Sequence, residues 1–195
     1  LNFALALFVL PESRPGKREA AFAWDTLNPF KPLAWAFNFK ALIPLMAIFL
    51  ILNFVGTVYG TAWAQFSEDQ FAFSGLWIGL SLGAFGVFHA LAQASVTGPA
   101  VARLGERWAL IVGMGFEVGA MLTLTFAGHG WLLFAMAPIF ALGGIGMPAL
   151  QSLTTRQVDA DRQGQLQGVL ASIVSLASVF GPLLFSAIYA QVRHD

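Results

Sequence analysis

Apolar positions in this chain run continuously rather than in alternation. They form stretches of about twenty residues separated by short polar turns, the pattern of helices that face lipid. Five stretches are complete: Ala41 to Trp63, Leu76 to Thr97, Trp108 to Phe126, Trp131 to Leu150 and Gln165 to Ala190. At ~1.5 Å per residue each is long enough to cross a hydrocarbon core of roughly 30 Å. Residues 1–10 (LNFALALFVL) are too short to span and have no basic region before them, so they read as the end of a preceding transmembrane helix rather than a signal peptide. Residues 11–40 read as a central loop, first of Pro, Gly and charged composition and then aromatic from Ala20 to Lys40. That aromatic part either lies at the membrane interface or packs on the helix ends. Residues 41–195 form the transmembrane bundle, and a further span is expected after Asp195.

Composition agrees with an all-α polytopic membrane protein. Hydrophobic residues make up 57% and charged residues 10% of the chain, and the mean hydropathy is +0.72. No soluble domain of ordinary composition looks like this. Net charge is zero, which leaves no basic field to suggest nucleic acid as a partner. Charge is instead distributed by loop. The segments Ser13 to Lys40, Arg103 to Arg107 and Arg156 to Arg162 hold every Lys and Arg except Arg193, whereas the intervening connections hold none. By the positive-inside rule the basic loops are cytoplasmic, and Trp63, Trp77, Trp108 and Trp131 at span ends form an aromatic belt.

Two spans carry titratable groups near their middles, His89 and Glu117. An ionised carboxylate at that depth costs several kcal/mol unless it is paired or faces water, so Glu117 is a candidate proton or cation site, the alternative being a structural hydrogen bond. His89 and Gln93 lie one turn apart, flanked by Gly86 and Ala90, and make either a ligand-facing patch or an interhelical hydrogen bond. Asn53 and Thr57 form a similar pair. The pairs Gly56 with Gly60, Gly79 with Gly83 and Gly115 with Gly119 have the spacing of close helix packing. In the last span Gln165, Gly168, Ser172, Ser175, Val179, Pro182, Ser186 and Tyr189 form a small, polar stripe, expected to pack on a neighbour or line a cavity. The chain has no cysteine, and no nucleotide loop, HExxH helix or GxSxG elbow, so neither a metal centre, a cofactor site nor an enzyme is expected.

The loop GPAVARLGER, with Gly98, Arg103, Gly105 and Arg107, resembles the cytoplasmic signature repeated in each half of the major facilitator superfamily. The strings LGAFGVFHALAQASVTGPAVARLGER, GGIGMPALQSLTTRQVDADRQGQLQG and GPLLFSAIY are similar to the C-terminal half of the bacterial class A to C type tetracycline efflux proteins. The resemblance implies the end of helix 6 followed by helices 7 to 11 of that fold, in the bacterial inner membrane. It implies a proton-coupled antiporter exporting tetracycline as a complex with a divalent cation such as magnesium, which travels as substrate. The implied partners are the drug, protons, membrane lipid and the N-terminal half of the same transporter. Glu117 then corresponds to the acid of proton coupling, with Glu in place of the family's usual Asp. His89 and Gln93, with Asn53 and Thr57, fall on the substrate side, and Gly98, Arg103, Gly105 and Arg107 on the gating loop. Ala102 stands where the loop signature usually has Asp, and Asn53, Thr57 and Tyr59 stand where related pumps have Gln, Gln and Pro. An antiporter of other amphipathic drugs and an inactive half-transporter acting as a membrane scaffold are the alternatives.

The charge pattern makes a direct prediction. A reporter fused at Gly105 in the full-length protein should be active only as a cytoplasmic fusion, and an exported signal there would invert the assigned topology.

Overall fold

The computed structural model describes residues 35–194. The expected end of a preceding helix at 1–10, and most of the central loop at 11–40, lie outside the described residues. The described elements are α1 (Leu42–Thr61), α2 (Trp63–Phe71), α3 (Gly75–Ala92), a π-helical turn (Gln93–Thr97), α4 (Gly98–Thr125), α5 (Trp131–Gly143), α6 (Gly146–Thr155), a short 3-10 turn (Ala160–Arg162) and α7 (Gln163–His194). Among the described residues there is no strand, as expected of an all-α bundle.

Four helical runs are long and apolar enough to cross a membrane: Leu42–Thr61, Gly75–Thr125, Trp131–Thr155 and Ala160–Gln191. The second, at 51 residues, would be roughly 75 Å long if straight, more than twice the hydrocarbon core. It is not straight, because Gly105 has φ 75° and ψ 161°, a conformation open almost only to glycine. The run therefore supplies two crossings, which restores the five expected from hydropathy. The expected polar turn at Gly98 to Arg107 is narrower than its composition suggests, since helical structure continues on both sides of Gly105.

The fourth crossing is broken in its middle. Gly144 and Ile145 leave the α-helical pattern between α5 and α6, with their N–H groups bonded to Ala141 and Leu142 at 3.2 Å. Pro148 lacks an N–H, so the Gly144 carbonyl has no partner four residues on. Breaks of this kind persist at membrane depth only where another group satisfies the freed carbonyl.

Packing follows from these elements. α1 packs mainly on α7, α5 lies between α3 and α4, and α6 packs on α4 and α1. One apolar cluster joins Leu42, Met46 and Phe49 of α1 with Leu110, Leu150, Leu166 and Val169 near the basic loops. Trp35 and Phe39 pack against it, so the described end of the aromatic segment lies on the helix ends. A second cluster, around Ala120, Leu124, Leu133 and Phe140, lies toward the opposite end.

The glycines that allow close approach are not those whose spacing suggests it. A Cβ added at Gly56, Gly60, Gly79, Gly83, Gly115 or Gly119 would meet nothing within 4 Å, so these pairs do not pack the described bundle. At Gly113 an added Cβ would lie 2.7 Å from the backbone nitrogen of Gly146 and 3.1 Å from the Gly143 carbonyl. The stripe on the last span is only partly packed, with Ser172, Pro182 and Tyr189 half-buried and Tyr189 lining an apolar cavity. α7 buries Leu166, Val169, Leu170, Ile173 and Ala177, while Gln165, Gly168, Ser175, Val179 and Ser186 face outward. Ser172 and Ser175 bond to their own helix at Gly168 and Ala171, both at 2.9 Å.

Adjacent glycines thus make a controlled comparison. Gly113→Ala should lower stability by roughly 1–3 kcal/mol through overpacking, whereas Gly115→Ala should change it by less than about 0.5 kcal/mol. Thermal unfolding of the two variants in detergent measures the difference, and equal stabilities would contradict the contact at Gly113.

Candidate functional site

The carboxyl of Glu117 reaches a cavity between the two apolar clusters. α4 places Glu117 one turn beyond Gly113, so the backbone contact at Gly113 carries it to the break between α5 and α6. A Cβ added at Gly143 would lie 3.0 Å from the Glu117 Cβ. The resulting cavity, of about 160 Å³, is lined by Glu117, His89, Tyr59, Phe85, Phe140 and the backbone of Gly143, Gly144 and Gly146, among others. Glu117 is half-buried, and the Tyr59 hydroxyl donates to its Oε1 at 3.1 Å.

His89 enters from α3. Its ring lies 5.6 Å from that of Phe85 and so close to Gly144 that a Cβ there would fall 2.5 Å from Nε2. Gln93 also reaches Gly144, but its Nε2 donates to the carbonyl at 2.9 Å. That carbonyl is the one left without a helical partner by Pro148, so Gln93 completes the broken helix behind the cavity wall without lining the cavity itself. The Thr97 hydroxyl lies 3.2 Å from Gln93 Oε1 and fixes the amide from the π-helical turn. Pairing a histidine with a glutamine one turn on correctly places both at the same point of the neighbouring span.

The other candidates sit elsewhere. Asn53 donates to the Phe49 carbonyl at 2.7 Å and Thr57 to the Phe54 carbonyl at 2.7 Å, both on their own helix. Neither lines the cavity around Glu117. The Thr57 side chain occupies the space left by Gly181, where an added Cβ would lie 2.9 Å from Cγ2, so Thr57 joins α1 to α7. Gly98, Arg103, Gly105 and Arg107 are all exposed, and the structure places them at the basic end, away from the cavity. Among the described residues no group of three or more His, Asp or Glu is placed to hold a metal ion.

Two residues matter through partners that sequence reasoning did not find. Tyr59 is the partner of Glu117, fifty-eight positions away, and no local spacing marks that pairing. Glu106, the acid within the basic loop, accepts from Arg156 at 2.6 Å and from the Ser152 hydroxyl at 3.3 Å. This ties the turn at Gly105 to the end of α6. Its position between basic residues is the signal that could have found it. With the Arg156 side chain 69% exposed, the pair contributes only about 0.2–1 kcal/mol, so its importance is as a tether.

The site is therefore a small mid-bundle cavity with one acid, one imidazole, aromatic walls and a broken helix along one side. Discontinuous helices at mid-membrane are where transporters place substrate and ion sites. Comparison with known proteins agrees with this architecture. The chain is 47% identical over 190 residues, 97% of its length, to the tetracycline resistance protein, class C, of Escherichia coli, and spans 48% of that relative. It is 42% identical over 164 residues to the tetracycline resistance protein, class G, of Vibrio anguillarum, covering 84% of this chain and 42% of the relative. The class B protein of Escherichia coli is 36% identical over 151 residues, 77% of this chain and 38% of the relative. The chain thus spans about half the length of the curated relatives it matches. No solved structure matches it significantly. The Major Facilitator Superfamily family model matches residues 45–193, from the start of α1 to the end of α7. This chain is a multi-pass membrane protein that belongs to the major facilitator superfamily.

Proposed function

We propose that the full-length protein containing this chain is a proton-coupled antiporter that exports tetracycline, carried with a divalent cation such as magnesium, across a bacterial inner membrane. The observation that carries this reading is a single carboxyl, Glu117, at a mid-bundle cavity beside a broken helix. A carboxylate in that position binds either a proton or a cationic substrate group, and exchange between the two is what couples their fluxes. Its backbone setting supports a site that remains small and shaped, because Gly143 and Gly144 leave room for Glu117 and His89 where larger residues would collide. Relatives named as tetracycline resistance proteins supply the drug. The aromatic walls at Phe85 and Phe140 also suit other flat amphipathic compounds, which is the second reading.

Proton-driven tetracycline uptake into inverted vesicles holding the full-length protein tests the coupling role. Glu117→Gln should reduce uptake to background while the protein stays inserted, because an amide keeps the size but exchanges no proton. Glu117→Asp should retain part of it. Normal uptake by the Gln variant would end the coupling role.

His89 and Gln93 separate in the same assay. His89→Ala should lower uptake per folded molecule and alter its pH dependence, since imidazole is the side chain that titrates closest to neutrality. Gln93→Ala should lose stability first, because it strips the Gly144 carbonyl of its donor. A hydrogen bond between membrane helices is worth only about 0.6 kcal/mol on average, so a large transport defect at normal expression would place Gln93 in the site itself. Unchanged uptake and pH profile in both variants would remove the pair from it.

A further inference from the structure

Proton coupling at Glu117 leaves the tyrosine beside it without a role. Tyr59 is held on several sides: its ring is stacked 6.2 Å from Phe85 at 16°, meets the edge of Phe140 at 5.8 Å and 89°, and lies 6.3 Å from Trp63. A tyrosine has only two side-chain torsions, and with these neighbours its hydroxyl cannot follow a moving acceptor. The carboxyl comes to the hydroxyl instead. On the far side the stem of Glu117 is confined by the backbone of Gly143. Tyr59 also borders a second, apolar cavity of about 200 Å³, lined by Trp63, Phe66, Met121, Leu124 and Tyr189 toward the end away from the basic loops. The Tyr189 hydroxyl donates to Asp69 at 2.6 Å beyond it. Tyr59 thus stands between two cavities, and only the first contains the acid.

We propose that Tyr59 is the positioning residue of Glu117, its hydroxyl holding the carboxyl group against the wall between the mid-bundle cavity and the apolar cavity beyond it. This rests on the reading that Glu117 carries the coupling proton. A hydroxyl bonds more strongly to a charged carboxylate than to a neutral acid, so this bond loosens when a proton arrives. Because the Tyr59 ring is packed on α3 and α5 residues, that change is felt on α1, α3, α4 and α5 together. The titratable groups facing Glu117 are few. α1 presents Tyr59 and α3 presents His89, while α5 and α6 present Phe140, Met147 and glycine backbone. On its other side Glu117 borders a groove whose further lining, including Leu52, Val55, Met121 and Thr125, has no group that titrates. Among the described residues His89 is therefore the one other titratable side chain at this cavity that must be controlled.

The test is the pH profile of tetracycline uptake per folded molecule in the full-length transporter, for Tyr59→Phe alone and combined with His89→Ala or Glu117→Asp. The hydroxyl is lost while the ring stays, so Tyr59→Phe should move the midpoint by about one pH unit to higher pH, with normal folded yield. The same shift should persist in the His89→Ala background. It should vanish in Glu117→Asp, whose carboxyl stops one methylene short of the hydroxyl. An unmoved midpoint, or an equal shift in Glu117→Asp, would overturn the proposal. If Tyr59→Phe folds poorly, a singly fluorinated tyrosine at position 59 keeps the ring and strengthens the donor. Its midpoint should then move to lower pH, and no movement would overturn the role. Full proton-coupled uptake by Glu117→Gln would remove the coupling reading and this one with it, whereas an inactive Gln variant with an unmoved Tyr59→Phe profile removes only the tyrosine.

Discussion

Backbone meets backbone where Gly113 crosses Gly143 and Gly146, and the distances around the cavity depend on that crossing. Lipid tails are as apolar as the helices, so helix association in a membrane rests on close van der Waals packing more than on the hydrophobic effect. With side chains absent at this point, α4 comes within 2.7 Å of the Gly146 nitrogen, measured from a notional Cβ at Gly113. Glu117, one turn further along, is then delivered to Gly143, and His89 approaches Gly144 from the opposite side. Larger residues at any of these positions would separate the acid from the imidazole.

The same region shows how a membrane bundle tolerates an irregular backbone. Pro148 frees the Gly144 carbonyl, and Gln93 on a different crossing supplies the missing donor at 2.9 Å. In the hydrocarbon region no water can take the place of that donor, so the protein itself must supply it. Gln93 is thus part of the scaffold that supports the cavity wall. The break between α5 and α6 survives because the π-helical turn after α3 carries that one amide, and the cavity lies along the break. At the basic end the Glu106 and Arg156 pair joins the Gly105 turn to the end of α6, so the broken crossing is tethered both at its break and at its basic end.

Function lives in a few side chains placed by this frame. The structure groups Glu117, His89 and Tyr59, three titratable residues from three different crossings, around one small cavity. Aromatic neighbours hold Tyr59, and glycine backbone confines Glu117. Asn53 and Thr57 belong instead to the helices' own satisfaction and to the α1 contact with α7. The superfamily match covers the whole of this frame.

Hydropathy determined the number of the crossings and roughly where each lies, because partition into lipid depends on a helix's own composition and length rather than on its neighbours. The same one-dimensional reasoning located His89 and Glu117, since a titratable group in an apolar run is visible without a fold. Pairing at one turn put His89 and Gln93 on a common face, which local helix geometry guarantees. Glycine spacing was a poorer guide: the pairs at Gly56, Gly79 and Gly115 face open space, while Gly113, Gly143, Gly146 and Gly181 make the contacts. Whether a small residue permits an approach depends on which helix crosses there and at what height, and nothing within one helix records that. The outward turn of most of the α7 stripe has the same origin, as does the meeting of Tyr59 with Glu117 across fifty-eight residues. Lipid solvation acts on each helix separately and is legible in sequence, whereas the packing that joins Glu117, His89 and Tyr59 acts between helices and is settled only by the tertiary structure.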